Sequence, residues 1–264
     1  MLRAEKLKTY EQKRFRPGYV SVKRNGIHGI CSKDDGLYSR TPNKILGLDY
    51  LEEELNQSPF PLCVELVIPE LPFETMSGLI RNHSHTPGVV AHVFNVISPG
   101  PFEKRLQLMT DLKNRMESES VKFETYYAVN KTERFDTFYE QALAEEEEGV
   151  CWISPNHLYQ PGKRGWDWMK RVPMMSNEGI VLDIIAGTAG KKYETSMGRM
   201  HIWCEELHQS FYVGIFKGQT DEWRQKVFNE KRHHIGRDIT FEYKNLSKYG
   251  VPTQTRFKSF RWDL

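Results

Sequence analysis

The sequence predicts an α+β fold that ends in a small Greek-key β-barrel. Three observations lead there: helical periodicity alternating with short apolar runs in the first two thirds, a change of texture within residues 172–178, and nearly all-β punctuation afterwards. With 264 residues, 39% of them hydrophobic and 12% aromatic, the chain is too apolar to be disordered and can bury one or two cores. No apolar run approaches the roughly 18–20 residues that span a bilayer, so no membrane partner is expected. Residues 1–18 are basic and polar without an apolar stretch, which argues against a secretory signal. Cys31, Cys63, Cys151 and Cys204 are far apart with no CxxC, which argues against a zinc knuckle or disulfide scaffold. A reduced, soluble, cytoplasmic protein is the expectation.

The elements follow in order. Residues 19–32 read as strands on both sides of an Asn25-Gly26 turn, and Lys33-Asp34-Asp35-Gly36 makes a second turn before a strand at 37–40. Residues 63–71 and 88–98, rich in Val, Ile and Phe, read as buried strands. Apolar residues at helical spacing predict helices over 44–57, 101–120 and 135–148, the last stopped by Gly149 before a strand at 150–154. Beyond residue 178, strands are expected at 179–187, 197–207, 210–218, 238–246 and 256–262, with one helix over 220–232. Five short strands with one helix suit a Greek-key barrel of the OB type. The domains are therefore placed at 1–174 and 175–264.

Charge is unevenly spread. The net +2 conceals eight Lys/Arg against two acids in residues 1–26, and ten against four in residues 222–261. The middle compensates, notably with Glu145 to Glu148. Two basic ends around an acidic middle suit a polyanion-binding surface, although scattered solvated lysines give the same totals.

Lys23 is the most informative residue. It ends a strand directly before a tight turn, which holds an ammonium on a rigid element, as a nucleophile requires. A free lysine is a poor nucleophile near neutral pH unless burial or a neighbouring cation lowers its pKa. Alone, K-x-x-G more often marks a solvated turn. It is followed in order by Ser39-Arg40-Thr41, Val64-Glu65-Leu66, Ser77 to Arg81, His92-Val93-Phe94-Asn95, Glu148-Gly149-Val150 and Trp168-Met169-Lys170.

This series resembles the motifs of the covalent nucleotidyltransferases, and in detail the small ATP-dependent DNA ligases of bacteriophages. The resemblance covers nearly the whole chain. It implies a nucleotidyltransferase domain with an ATP-grasp-like adenylation fold, followed by the OB-fold barrel. It also implies a monomeric enzyme acting on nicked double-stranded DNA, in the host cytoplasm if the source is viral. Lys23 would carry AMP as the adenylated nucleophile. Arg24, Gly26, His28, Glu65, Phe94 and Lys170 would bind the nucleotide, Phe94 by stacking on adenine and Lys170 at the α-phosphate. Glu148, with Glu65, would hold Mg²⁺. Arg40 would bind the nick 5′-phosphate, with Arg81 and Arg164 as further DNA contacts.

The chain departs from the family pattern K-x-D-G-x-R at Asn25 and His28, from a lysine after the fourth motif at Ile153, and from a second lysine in the fifth at Val172. The C-terminal pattern keeps Arg261 and Asp263 but ends in Leu264. Each lost phosphate contact typically costs about 1.5–3 kcal/mol. Lys163, Arg164 and Arg171 are the available substitutes. Two alternatives stand beside the DNA ligase: an RNA ligase of the same chemistry, and a catalytically weakened ligase-like protein that binds nicks. The stretch Gly187 to Lys192 has the wrong spacing for a phosphate loop, and His83 with His85 has no nearby acid or cysteine to complete a metal site.

Overall fold

The structure is a computed structural model that describes residues 2–41, 43–82 and 84–261. His83, Asp263 and Leu264, singled out above, lie outside the described residues. The chain divides into two compact units, Met1–Val172 and Pro173–Leu264.

The first unit is built on two five-stranded sheets. One has the order Lys8–Thr9, Trp168–Arg171, Gly149–Ile153, Gly18–Lys23, Tyr127–Val129. The other has the order Gly36–Ser39, Ile27–Ser32, Leu62–Val67, Val90–Val96, Val121–Phe123. Both are antiparallel except at one edge, where Lys8–Thr9 and Val121–Phe123 pair in parallel. Helix Thr132–Ala144 covers the first sheet and closes a core of Val20, Phe135, Val150, Trp152 and Met169. Helices Asp49–Leu55 and Phe102–Met116 cover the second, over a larger aliphatic core centred on Leu62, Val64, Leu66 and Val93. Apolar burial of this extent is the main stabilising term.

Several expectations meet competing constraints. The helix expected over 44–57 begins only at Asp49, because Lys44 bridges Tyr38 and the Ile45 amide donates to the Leu37 carbonyl at 3.0 Å. That backbone is committed to the sheet edge. The helix expected to run to Gly149 ends at Ala144. Glu146 takes the left-handed conformation with φ 59°, and the Glu147 amide donates to the Ala142 carbonyl at 2.9 Å, a Schellman-type close without glycine. Helix Phe73–Arg81 was not anticipated as an element.

The second unit is one antiparallel sheet in the order Gln209–Val213, Met197–Cys204, Met175–Ala186, Asp238–Tyr243, Arg256–Phe260. Its first strand starts at Met175, inside the segment where the sequence pattern breaks. Helices Asp221–Asn229 and Lys231–His234 lie between the third and fourth strands in chain order, the former capped by the Thr220 hydroxyl accepting from the Trp223 amide. Ile215, two residues past the end of one outer strand, forms an isolated parallel bridge with Arg256 of the other. The inner face packs Ile184, Met200, Ile202, Phe211, Phe241 and Phe257.

Candidate active site

Lys23 closes a strand of the first sheet, and Ile27 opens a strand of the second. Residues 24–26 therefore carry the chain from sheet to sheet, and Asn25-Gly26 is a crossover, not the hairpin its composition suggests. The strands on either side take other partners: Gly18–Lys23 pairs with Gly149–Ile153, and Ile27–Ser32 with Leu62–Val67. Glycine is required at 26, where a Cβ would stand 2.5 Å from the Leu66 carbonyl oxygen and 2.8 Å from Glu65 Cγ. The close approach lets the Gly26 amide donate to Glu65 Oε1 at 3.1 Å.

Strand alternation sorts the side chains. Ser21 aligns with Cys151, and Cys151 with Lys170, so these share a sheet face with Lys23. Arg171 falls on the opposite face. It pairs with Asp136 and lies 4.1 Å from the Tyr139 ring, so it does not replace a missing phosphate cation. On the second sheet His28 aligns with Glu65, and Glu65 with His92. Phe94 joins the two faces, its ring 5.2 Å from His28 and 6.0 Å from Trp168. The Tyr126 hydroxyl, donating to the Phe94 carbonyl at 2.6 Å, fixes that backbone.

Glu148 precedes the Gly149–Ile153 strand, and its Oε2 accepts from Lys23 Nζ at 2.5 Å. Gly149 makes this possible: φ is 143°, and a Cβ there would lie 2.2 Å from the Arg171 carbonyl oxygen. Burial opposes the Lys23 ammonium, but Glu148 and then Glu65 outweigh it and hold its pKa above the ordinary lysine value. Glu65 is pushed up to about 7, first by burial and then by Glu148, against the pull of Lys23. His28 is driven down to about 3 by burial, Arg40 and Lys23, so it is neutral, and its Nε2 is buried without a hydrogen-bond partner. The cation that the family pattern places at this position is absent.

Arg24 is engaged by a second cluster, which adjoins this one at His92. Its Nε donates to Glu124 Oε1 at 2.9 Å and its Nη1 to Glu147, while His92 Nδ1 lies 3.1 Å from Glu124 Oε1. Sequence reasoning missed Glu124, for which no local motif exists, and gave His92 no role although it quoted that residue in the motif of Phe94. Arg40 is exposed, with its amide donating to the His28 carbonyl at 3.2 Å and its charge felt by His28 and Glu65. Arg81, at the end of its helix, and Arg164, in the loop before Trp168, are exposed and make no hydrogen bond to Lys23, Glu65 or Glu148.

Among the described residues no group of three or more His, Cys, Asp or Glu could hold a metal ion, so an all-protein cage is not built here. Glu65, whose carboxyl Glu148 helps push up, and Glu148 itself fit Mg²⁺, which takes one or two carboxylates and keeps waters and phosphate oxygens as its other ligands.

Residues 69–171 match the family model described as ATP dependent DNA ligase domain. The chain is 28% identical over 268 residues to a DNA ligase of African swine fever virus (isolate Warthog/Namibia/Wart80/1980), covering 92% of this chain and 63% of that one. It thus spans somewhat under two thirds of the viral relatives' length. DNA ligase 2 of Methanosarcina acetivorans is 28% identical over 124 residues, 46% of this chain and 22% of that one. Among solved structures, a Lig E DNA ligase superposes with a TM-score of 0.82 at 19% identity, over 98% of this chain and 99% of that one. The ATP-dependent DNA ligase of bacteriophage T7 in complex with ATP gives 0.56 at 18% identity, over 97% and 98%. The chain resembles ATP-dependent DNA ligases along nearly its whole length, and its mixed α+β fold is theirs.

Proposed function

We propose that this chain is an ATP-dependent DNA ligase that seals nicks in duplex DNA, with its first unit as the nucleotidyltransferase domain and its second as an OB-type barrel. The observation that carries the reading is the Lys23–Glu148 pair at the sheet crossover, beside Glu65 on the Gly26 amide and within the same inter-sheet face as Phe94. For the barrel, the support is the strand order, the helix between its third and fourth strands, and the parallel Ile215–Arg256 bridge. We extend the proposal to a monomer working in the cytoplasm; no helix among the described residues is long and apolar enough to cross a membrane.

In the first step Lys23 Nζ bonds to the α-phosphorus of ATP, the bond to the β-phosphate oxygen breaks, and pyrophosphate leaves. Lys23 must shed a proton first, and the ligand-free arrangement resists this because Glu148 sits on the ammonium. Once Glu148 is engaged elsewhere, burial becomes the dominant influence on Lys23 and lowers its pKa. Glu148 and Glu65 would hold Mg²⁺, which would supply charge neutralisation at the phosphates. Lys170 stands on the same sheet face to meet the α-phosphate, and Phe94 offers its ring to adenine. In the second step an oxygen of the nick 5′-phosphate takes the AMP and frees Lys23. The adjoining 3′-hydroxyl then attacks that 5′-phosphorus and releases AMP. Arg40, exposed at the rim, is the forked cation for the 5′-phosphate.

Incubation with α-labelled ATP and Mg²⁺ should label the chain covalently, and Lys23→Ala should abolish the label. A chain that neither labels nor seals nicked DNA would overturn the reading. Neutral His28 favours one second reading, a weakened ligase that binds nicks. That reading predicts salt-sensitive binding to nicked duplex with no covalent adenylate. Strong preference for single-stranded RNA over nicked DNA in a sealing assay would instead identify an RNA ligase.

A further inference from the structure

The N-terminal segment is folded against a stretch more than a hundred residues away. The Lys6 amide donates to the Lys163 carbonyl at 2.9 Å and the Gly162 amide to the Ala4 carbonyl at 3.2 Å. Lys8–Thr9 then pairs with the strand that carries Lys170, and the Tyr10 amide donates to the Lys170 carbonyl at 2.8 Å. This brings basic residues from two parts of the sequence together. Arg3 lies against Gly162, Lys6 is held beside Lys163, and both Lys8 Nζ and the Arg14 guanidinium sit over the Trp166 ring, at 4.4 and 3.8 Å. Arg3, Lys6, Arg14, Lys163 and Arg164 are exposed.

Of the segment's two acids, only Glu11 meets a cation of this face. Glu5 is turned inward and buried, where Oε1 meets His157 Nε2 at 2.9 Å and Oε2 accepts from the Gln160 amide at 3.0 Å. Glu11 pairs with Lys13 at 3.4 Å and accepts from Arg14 Nε at 3.3 Å, so Arg14 is the one cation of the face that it offsets. Like charges brought together by tertiary contacts repel one another, so the face is held by the buried Glu5–His157 contact and the backbone bonds, not by its own charges. Scattered solvated lysines would not be gathered in this way.

We propose that Arg3, Lys6, Lys8, Arg14, Lys163 and Arg164 form a phosphate track that holds the backbone of duplex DNA, without reading its sequence. The proposal rests on the nucleic-acid reading above and adds a surface to it, anchored on the strand that bears Lys170. Charge complementarity identifies the occupant. A row of ammonium and guanidinium groups on a rigid strap suits regularly spaced phosphates, and binding through them releases counterions.

The test uses the full chain with Arg3→Ala, Lys6→Ala and Lys8→Ala combined, three side chains of the track whose loss spares the strap's backbone bonds. Fluorescence anisotropy with nicked and intact duplexes of unrelated sequence is followed across a salt series. The slope of log K against log salt should become shallower by about 2–3, and affinity should fall about 10- to 100-fold at moderate salt, equally for every sequence. Covalent labelling by ATP without DNA should stay at the wild-type level, which reports an intact fold. If the wild type binds duplex and the triple variant binds it with the same slope, the track is wrong and the ligase reading survives. If the wild type itself fails to bind duplex at low salt, both fall together. A variant that binds one sequence normally and another weakly would contradict backbone-only contact.

Discussion

Two buried charged clusters lie in the first unit, and they are finished to different degrees. Arg105 is fully buried, yet its guanidinium donates to Asn95 Oδ1, to the Gly100 and His157 carbonyls, and meets His157 Nδ1, at 2.8–3.1 Å. His157 in turn meets Glu5, so that one unpaired Asn95 nitrogen is the loose end among these side chains. The Lys23 cluster is different. Glu65 is held so far from solvent that it ionises only near pH 7, His28 keeps a buried nitrogen without a partner, and Lys23 is kept protonated by a carboxylate its chemistry must dislodge. A satisfied network stabilises a fold, whereas an under-satisfied one stores cost that a ligand can relieve. The difference separates architecture from function more clearly than burial alone, since both clusters are buried.

The comparison yields predictions of decreasing size. Lys23→Ala should remove covalent adenylation entirely while leaving thermal stability near the wild-type level, as measured by labelling and calorimetry side by side. Arg105→Met should do the reverse: it strands the partners of a buried charge and should cost about 3–5 kcal/mol in calorimetric stability. A large loss of stability in Lys23→Ala with a small one in Arg105→Met would invert the assignment of the two clusters.

Glu65 gives a pH signature. Its carboxyl ionises near 4.5 when unfolded but near 7 when folded, so the native state binds the extra proton between these values and stability falls as pH rises through that window. The fall should be about 1–3 kcal/mol. Glu65→Gln, melted across the same pH series, should flatten it. Glu148→Gln should let burial dominate at Lys23, so that an amine-selective reagent modifies Lys23 at lower pH than in the wild type, read by peptide mass spectrometry. The smallest effect is expected at Cys151. Burial pushes its thiol up to about 12, so reaction with a thiol reagent near pH 8 should be slow beside that of a free cysteine.

The residues most legible in the sequence sit at strand ends beside glycines. Lys23 before Gly26 and Glu148 before Gly149 could be singled out because a local backbone constraint accompanies each one. Arg24 was legible as a residue but not in its direction, since Glu124 and Glu147 lie about a hundred residues away and only the tertiary fold brings them near. The same holds for Arg171, whose neighbour Lys170 faces the other side of the sheet. The strands at 63–71 and 88–98 could be read from apolar runs, observed as Leu62–Val67 and Val90–Val96. The Asn25-Gly26 crossover could not, because turn composition does not say which strand pairs with which. Helix Phe73–Arg81 does carry a signal in the sequence, since its buried Met76, Ser77 and Ile80, with Phe73 packed beside them, stand at helical spacing.

The central claim is that Lys23, held by Glu148 at the crossover, is the nucleophile of a nucleotidyl transfer. Peptide mapping of the chain after incubation with ATP and Mg²⁺ tests it directly. An AMP adduct on Lys23, released when nicked duplex is added, is the result expected. An adduct on another residue, or none from a chain that still joins DNA, would contradict it.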